Sequence, residues 1–207
     1  MKRKIKHLTP IIPYLSVLIG MYAIHSAWAA ILLYHTIALL VMLTCKNKNE
    51  HVQKSDGWPL LPYIVIIACS AGGVIFYYIW PYITPNSNTL AHKLQYFNIN
   101  KHNWLYFAVY FCIVNSIIEE LFWRGYLGSD HKAIHKNDLL FAGYHALVLL
   151  AFTNIIWTIP LLATCTFAGW LWRTLRMIKG NLTIPILTHI IADFSIIMAV
   201  HYRLFTR

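Results

Sequence analysis

The stretch Asn103-Trp-Leu-Tyr-Phe-Ala-Val-Tyr-Phe-Cys-Ile-Val-Asn-Ser-Ile-Ile-Glu-Glu-Leu-Phe-Trp-Arg124 is apolar almost throughout, yet it ends on two adjacent carboxylates, Glu119 and Glu120. About 20 such residues cross a bilayer as a helix. Ionisable side chains inside a membrane helix are expensive and mark a functional site by default. The chain has seven acids. Glu50, Asp56, Asp130 and Asp138 fall in polar segments or at predicted helix ends, whereas Glu119, Glu120 and Asp193 lie within apolar ones.

The surrounding chain has the same character. Its 207 residues are 58% hydrophobic and 12% charged, with a mean hydropathy of +0.55. That is too apolar for a soluble domain and predicts an all-helical, polytopic membrane bundle. The net charge of +10 does not point to nucleic acid, because the basic residues sit in short clusters between apolar runs. The predicted partner at this level is the lipid bilayer.

The apolar runs are 11–44, 59–83, 103–123, 139–172 and 184–202. The first and fourth are too long for one span. A break near His25-Ser26 and another near Thr153-Asn154 give seven helices, two of them short. Lys and Arg placement supports this count. With the N-terminus inside, thirteen of the 17 basic residues fall on the inner side. They are Lys2, Arg3, Lys4, Lys6, Lys46, Lys48, Lys54, Arg124, Lys132, Lys136, Arg173, Arg176 and Lys179. Lys93, Lys101, Arg203 and Arg207 fall outside, as the positive-inside rule prefers. The N-terminal basic cluster followed by Ala27-Trp28-Ala29 imitates a signal peptide. The apolar run continues to Thr44, which favours membrane helices instead.

Cys45, Cys69, Cys112 and Cys165 lack Cys-x-x-Cys spacing and read as apolar fillers. Ala68-Cys69-Ser70-Ala71-Gly72-Gly73 reads as a small-residue packing patch rather than a thiol site. Tyr77, Tyr78, Trp80 and Tyr82 read as an interfacial aromatic belt. The segment 84–102 reads as the longest outside loop. His25, His35 and His201 lack motif partners and read as interfacial or packed. Residues 1–102 form an N-terminal part of about three spans; residues 103–207 form a four-helix core.

In that core the polar residues agree in depth. At about 1.5 Å per residue, Glu119, Glu120, His145 and His189 lie within about a turn of one another from the inner side. Such a set lines one cavity facing the cytosol. Glu120 and Arg124, Phe141 and His145, and His189 and Asp193 are each four apart and share helix faces.

Glu119-Glu120-Leu-Phe-Trp-Arg124, Phe141-Ala-Gly-Tyr-His145 and His189-Ile-Ile-Ala-Asp193 resemble three ordered motifs of one family. These are Glu-Glu-x-x-x-Arg, Phe-x-x-x-His and His-x-x-x-Asn/Asp. The family is the CAAX prenyl-protease and bacteriocin-processing (CPBP, Abi) group of intramembrane proteases. The resemblance covers about residues 103–202 and leaves out the first three helices. It implies a peptidase in which Glu119 activates water, while Glu120 and Arg124 form a supporting ion pair. His145 then assists the water, and His189 with position 193 stabilises the oxyanion. A carboxylate shielded from water suits a base working near neutral pH.

An ionised Asp193 cannot donate to an oxyanion. It is left to be protonated, to orient His189, or to join Glu119, His145 and His189 as a Zn²⁺ ligand. No His-Glu-x-x-His signature supports the metal, and the predicted enzyme needs no cofactor. Two other classes remain. A proton-coupled transporter also uses intramembrane Glu, His and Asp, but needs them across the full thickness. A non-catalytic immunity protein would keep the fold alone. The short chain, without organelle-targeting features, points to a bacterial inner membrane.

The two-helix reading of the N-terminal run is tested by topology reporters fused after Thr44 and after Arg207. The first is expected to report the cytosol and the second the opposite side. A non-cytosolic signal at the first junction contradicts it.

Overall fold

The computed structural model describes residues 6–45, 57–83 and 87–205. Glu50, Asp56, Arg207 and the basic residues Lys2, Arg3, Lys4, Lys46, Lys48 and Lys54 lie outside these. The described part is all-helical: α1 (Ile11–Ala23), α2 (Ala27–Thr44), α3 (Leu61–Ile83), α4 (Ser87–Tyr96), α5 (Trp104–Tyr126), α6 (Lys136–Phe152), α7 (Ile155–Lys179) and α8 (Thr183–Phe205). Five of these, α2, α3, α5, α7 and α8, are long and apolar enough to cross a membrane. Helix α1 is a shorter apolar helix, and α6 has 17 residues.

Local chemistry sets the helix breaks. His25 takes φ 57, a left-handed conformation that ends α1. Ser26 is extended, and its side chain accepts from the Ala29 N–H at 3.2 Å, capping α2. Asn154 caps α7 in the same way, accepting from Trp157 N–H at 3.1 Å. Gly180 at φ 69 closes α7 in a left-handed turn. Both long apolar runs therefore divide where the polar pairs predicted.

The bundle is built inside out. Leu43, Ile67, Tyr106 and Ile156 face outward, while Glu119, Glu120, Arg124, Asp138, Arg173 and His189 are buried. Lipid accepts the former, and the latter satisfy one another inside. Helix α8 lies along α3, α6 pairs with α7, and α1 pairs with α2. The small-residue patch of α3 is the α3–α8 seam. Ser195 Oγ donates to the Cys69 carbonyl at 2.8 Å, and the Ser195 backbone lies where a Cβ on Gly73 would stand. Tyr14 and Tyr22 of α1 donate to the carbonyls of Leu140 and Leu147 at 2.7 and 2.6 Å, tying the N-terminal helices to α6.

Two readings need correction. The segment 84–102 is not simply a loop, because it holds α4, whose Leu90 and Leu94 are buried. Trp80 is no belt residue: it is 5% exposed and packs inward, unlike Tyr78 and Tyr82, which face outward.

A substitution pair tests the seam. Gly73→Val would drive a side chain into the Ser195 backbone, an overpacking that typically costs about 1–3 kcal/mol. Thermal unfolding in detergent should show a clear drop. Gly72→Ala is expected to melt like wild type, because its new Cβ meets only Ser195 Oγ, at 3.8 Å.

Candidate active site

Helix α5 carries the two glutamates on an irregular stretch. Wide π-type turns run over Tyr110–Asn115 and Glu120–Tyr126, separated by the short α-helical turn Ser116–Glu119. The Leu127 N–H, for example, bonds five residues back to Phe122 at 2.8 Å. Such turns widen the helix and are frequent at functional sites. Here Glu119 and Glu120 both turn inward, 2% and 0% exposed.

Glu120 is held from two helices. Its Oε1 accepts from Arg124 Nη1 and from His189 Nδ1, each at 2.9 Å. Arg124 lies over the Phe141 ring at 4.1 Å and near Trp172 at 5.1 Å, a cation–π cradle. Trp172 also stacks on His189, with ring centroids 3.9 Å apart and planes 16° apart. Gly169 leaves the room for this. A Cβ there would meet Arg124 Nη2 at 3.2 Å and Phe141 at 3.3 Å.

His189 faces acceptors on both sides. Its Nε2 lies 3.6 Å from Glu119 Oε2 and 3.6 Å from Asp193 Oδ2. With these carboxyl groups ionised, both ring nitrogens carry hydrogens. Glu119 Oε1 accepts from the Tyr144 hydroxyl. Glu119 Oε2 accepts no hydrogen bond among the described residues.

His145 stands one residue further out. Its Nδ1 lies 2.8 Å from the Phe141 carbonyl, and its Nε2 lies 3.2 Å from the Tyr144 hydroxyl. No hydrogen bond or ion pair among the described residues joins it to Glu119; Tyr144 stands between them. The structure thus brings Glu119, Glu120, Arg124, His189 and Asp193 together and attaches His145 through a tyrosine.

A second polar string reaches Asp193 from the N-terminal helices. Asp193 Oδ2 is 3.0 Å from Ser116 Oγ, and the Asn115 side chain also bonds the same carboxyl group. Asn115 Oδ1 accepts from His35 Nε2 at 3.2 Å, and His35 Nδ1 meets the Tyr110 hydroxyl at 2.9 Å. His35 is 2% exposed. It is packed, as expected, but has polar partners that sequence reasoning missed. Asn115 and Ser116 were detectable: they are polar residues in an apolar run, each four before one of the glutamates. Tyr144 gave no such signal, since tyrosine in a membrane helix reads as packing.

From Glu119, Tyr144 and His145 an apolar cavity of about 240 Å³ extends past Met21 and Phe111 to Trp80, Trp104 and Thr153. It follows α5 toward its N-terminal end, whereas a cavity facing the Arg124 end was expected. The 15 residue-to-residue steps from Trp104 to Glu119 make this path about 22 Å long.

The donors do not fit the Zn²⁺ set considered from sequence. Among the described residues no group of three or more His, Cys, Asp or Glu side chains is placed to hold a metal ion. His145 has both nitrogens turned to Phe141 and Tyr144, and His189 Nδ1 is engaged by Glu120.

Residues 101–195 match the model of a family described as type II CAAX prenyl endopeptidase, Rce1-like. The span contains Glu119, Glu120, Arg124, His145, His189 and Asp193, and leaves out α1 to α4. It is consistent with the CAAX/CPBP family read from the motifs. At that level it supports a CAAX-type intramembrane protease, a peptidase within a multi-pass membrane protein. Neither the curated proteins nor the solved structures gave a match.

Arg124→Ala tests the pair at the base of the site. It leaves Glu120 buried with one partner fewer, and breaking a buried pair typically costs about 3–5 kcal/mol. Both the melting temperature and the peptidase activity are expected to fall. An unchanged melting temperature contradicts a buried pair.

Proposed function

Starting from a core at residues 101–195 of the CAAX prenyl endopeptidase type, we propose that this protein hydrolyses a peptide bond with water activated by Glu119. One observation carries the reading. Glu119 Oε2 is buried, accepts no bond from the described residues, and faces His189 Nε2 at 3.6 Å at the head of an apolar cavity. A base needs a free oxygen within reach of a water, and an oxyanion needs a donor beside it.

In the proposed reaction a water bound at Glu119 Oε2 loses a proton to that oxygen. Its oxygen attacks the scissile carbonyl carbon, and the carbonyl π pair moves onto oxygen. His189 Nε2–H donates to that oxyanion. When the tetrahedral adduct collapses, the C–N bond breaks, and the proton on Glu119 passes to the leaving amine. The products are a carboxylic acid and an amine, which exchange that proton to leave as carboxylate and ammonium, and Glu119 returns ionised. Glu120 and Arg124 hold His189 in place. Asp193 orients the same imidazole rather than donating to the oxyanion, since it is itself offered the Ser116 and Asn115 side chains.

The substrate is a membrane-associated peptide or protein whose apolar segment or attached lipid lies in the cavity. Cleavage is assigned to the cytosolic side, because Arg124, Lys132, Lys136, Arg173, Arg176 and Lys179 all fall at the nearer end of the helices. A proton-coupled transporter fits less well. Among the described residues the cavity wall is mostly apolar and carries no ionisable Asp, Glu or His besides Glu119 and His145, so no relay of such groups continues toward Trp104.

The test uses purified protein and quenched-fluorescent peptides carrying a C-terminal CaaX sequence, with and without an S-farnesyl group. Glu119→Gln keeps the shape and removes the basic oxygen, which typically costs about 10²–10⁴-fold. It should melt like wild type. Cys69→Ala and Cys165→Ala should stay active, and strong chelators should leave wild-type turnover unchanged. Full turnover by well-folded Glu119→Gln refutes the mechanism.

A further inference from the structure

We propose that Tyr144 aims the catalytic carboxylate: its one hydroxyl hydrogen, wanted by both Glu119 Oε1 and His145 Nε2, pins Glu119 so that Oε2 is the oxygen offered to water. This rests on the proposed role of Glu119 and adds a residue that none of the three motifs specifies.

The argument begins with His145. Its Nδ1 faces the Phe141 carbonyl at 2.8 Å. A carbonyl only accepts, so Nδ1 carries the hydrogen. In the neutral imidazole Nε2 is then a bare acceptor, and it points at the Tyr144 hydroxyl from 3.2 Å. The same hydroxyl donates to Glu119 Oε1. One hydrogen therefore serves two acceptors. An ionised carboxylate is the stronger acceptor, since charge-assisted bonds are roughly twice as strong as neutral ones.

The ring is held so that this choice matters. Tyr144 is 4% exposed. It stacks parallel to Trp123, with planes 3° apart and centroids 6.0 Å apart. Phe141 and Tyr14 meet it edge-on, and Tyr34 packs against it from α2 at 5.9 Å. With the ring locked, the hydroxyl has one position, and Glu119 Oε1 is fixed by it. Oε2 is left 3.6 Å from His189 Nε2, with no hydrogen bond from the described residues.

The bond also has a natural release. When Oε2 takes the proton from water, Glu119 becomes neutral and a weaker acceptor. The Tyr144 hydrogen then turns to His145 Nε2. No bond of Tyr144 breaks, and the proton on Glu119 goes to the leaving amine as before. Tyr144 is a positioning residue in this cycle, acting through Glu119.

The experiment compares Tyr144→Phe with Tyr144→3-fluorotyrosine, in the full chain and with the peptides that test Glu119. Loss of the hydroxyl should lower kcat about 10–100-fold, the scale of misplacing a reacting group, with KM unchanged. The 3-fluorotyrosine variant, which keeps the hydroxyl, should restore kcat. A merely structural ring would be replaced by Phe with no kcat effect. Wild-type kcat in Tyr144→Phe, beside an inactive Glu119→Gln, overturns this inference alone. An active Glu119→Gln overturns the mechanism beneath it. Should Tyr144→Phe fail to fold, di- and trifluorotyrosine at the same position decide. The first fluorine acidifies the hydroxyl least and is expected to leave kcat near wild type; a kcat that departs from it as the second and third fluorines are added supports the role of the hydroxyl, and a kcat unchanged through trifluorotyrosine overturns it.

Discussion

The rest of the site depends on one oxygen, Glu120 Oε1, shared between Arg124 on its own helix and His189 on α8. A carboxylate in the membrane interior is tolerable only when its partners are also buried and well aimed. Arg124 is fixed in turn by the faces of Phe141 and Trp172, and His189 by stacking on Trp172. Helices α5, α6, α7 and α8 are thus joined through a single ionic contact and two aromatic rings. In the mechanism we propose, Glu120 is taken up by structure and its neighbour Glu119 is left for chemistry. Two adjacent, identical residues acquire different roles because one has its charge neutralised by the fold.

Much of this was legible. The breaks at His25-Ser26 and Thr153-Asn154 could be read because capping residues and span length act locally. The Glu120–Arg124 contact followed from spacing. The small patch on α3 was legible as a seam, because glycine and serine let backbones approach. Other features were not, for physical reasons. The π-type turns at 110–115 and 120–126 leave no mark in composition, since hydrophobic pattern reports which faces are apolar rather than how widely a turn is wound. Tyr144 and His35 gain their meaning from partners on other helices. Trp80 looked interfacial from its neighbours, but it packs inward and lines the cavity.

The N-terminal helices lie outside the family match, yet they complete the site. Tyr34 lines the cavity, Tyr14 packs on Tyr144, and His35 reaches Asp193 through Asn115. The position taken by Asp or Asn in the family motif is, in this chain, embedded in bonds from Ser116 and Asn115. An aspartate there suits an acceptor that steadies His189. The apolar cavity runs the other way from Glu119, toward Trp80 and Trp104, and in the proposed function it is the place for substrate.

The most direct test of the central claim is a side-chain-resolution structure of the protein with a CaaX peptide aldehyde. The hydrate of such an aldehyde mimics the tetrahedral adduct. The account predicts one gem-diol oxygen hydrogen-bonded to Glu119 Oε2 and the other to His189 Nε2, with the apolar part of the peptide in the cavity toward Trp104. A diol bound to a metal ion, or seated away from Glu119, would contradict it.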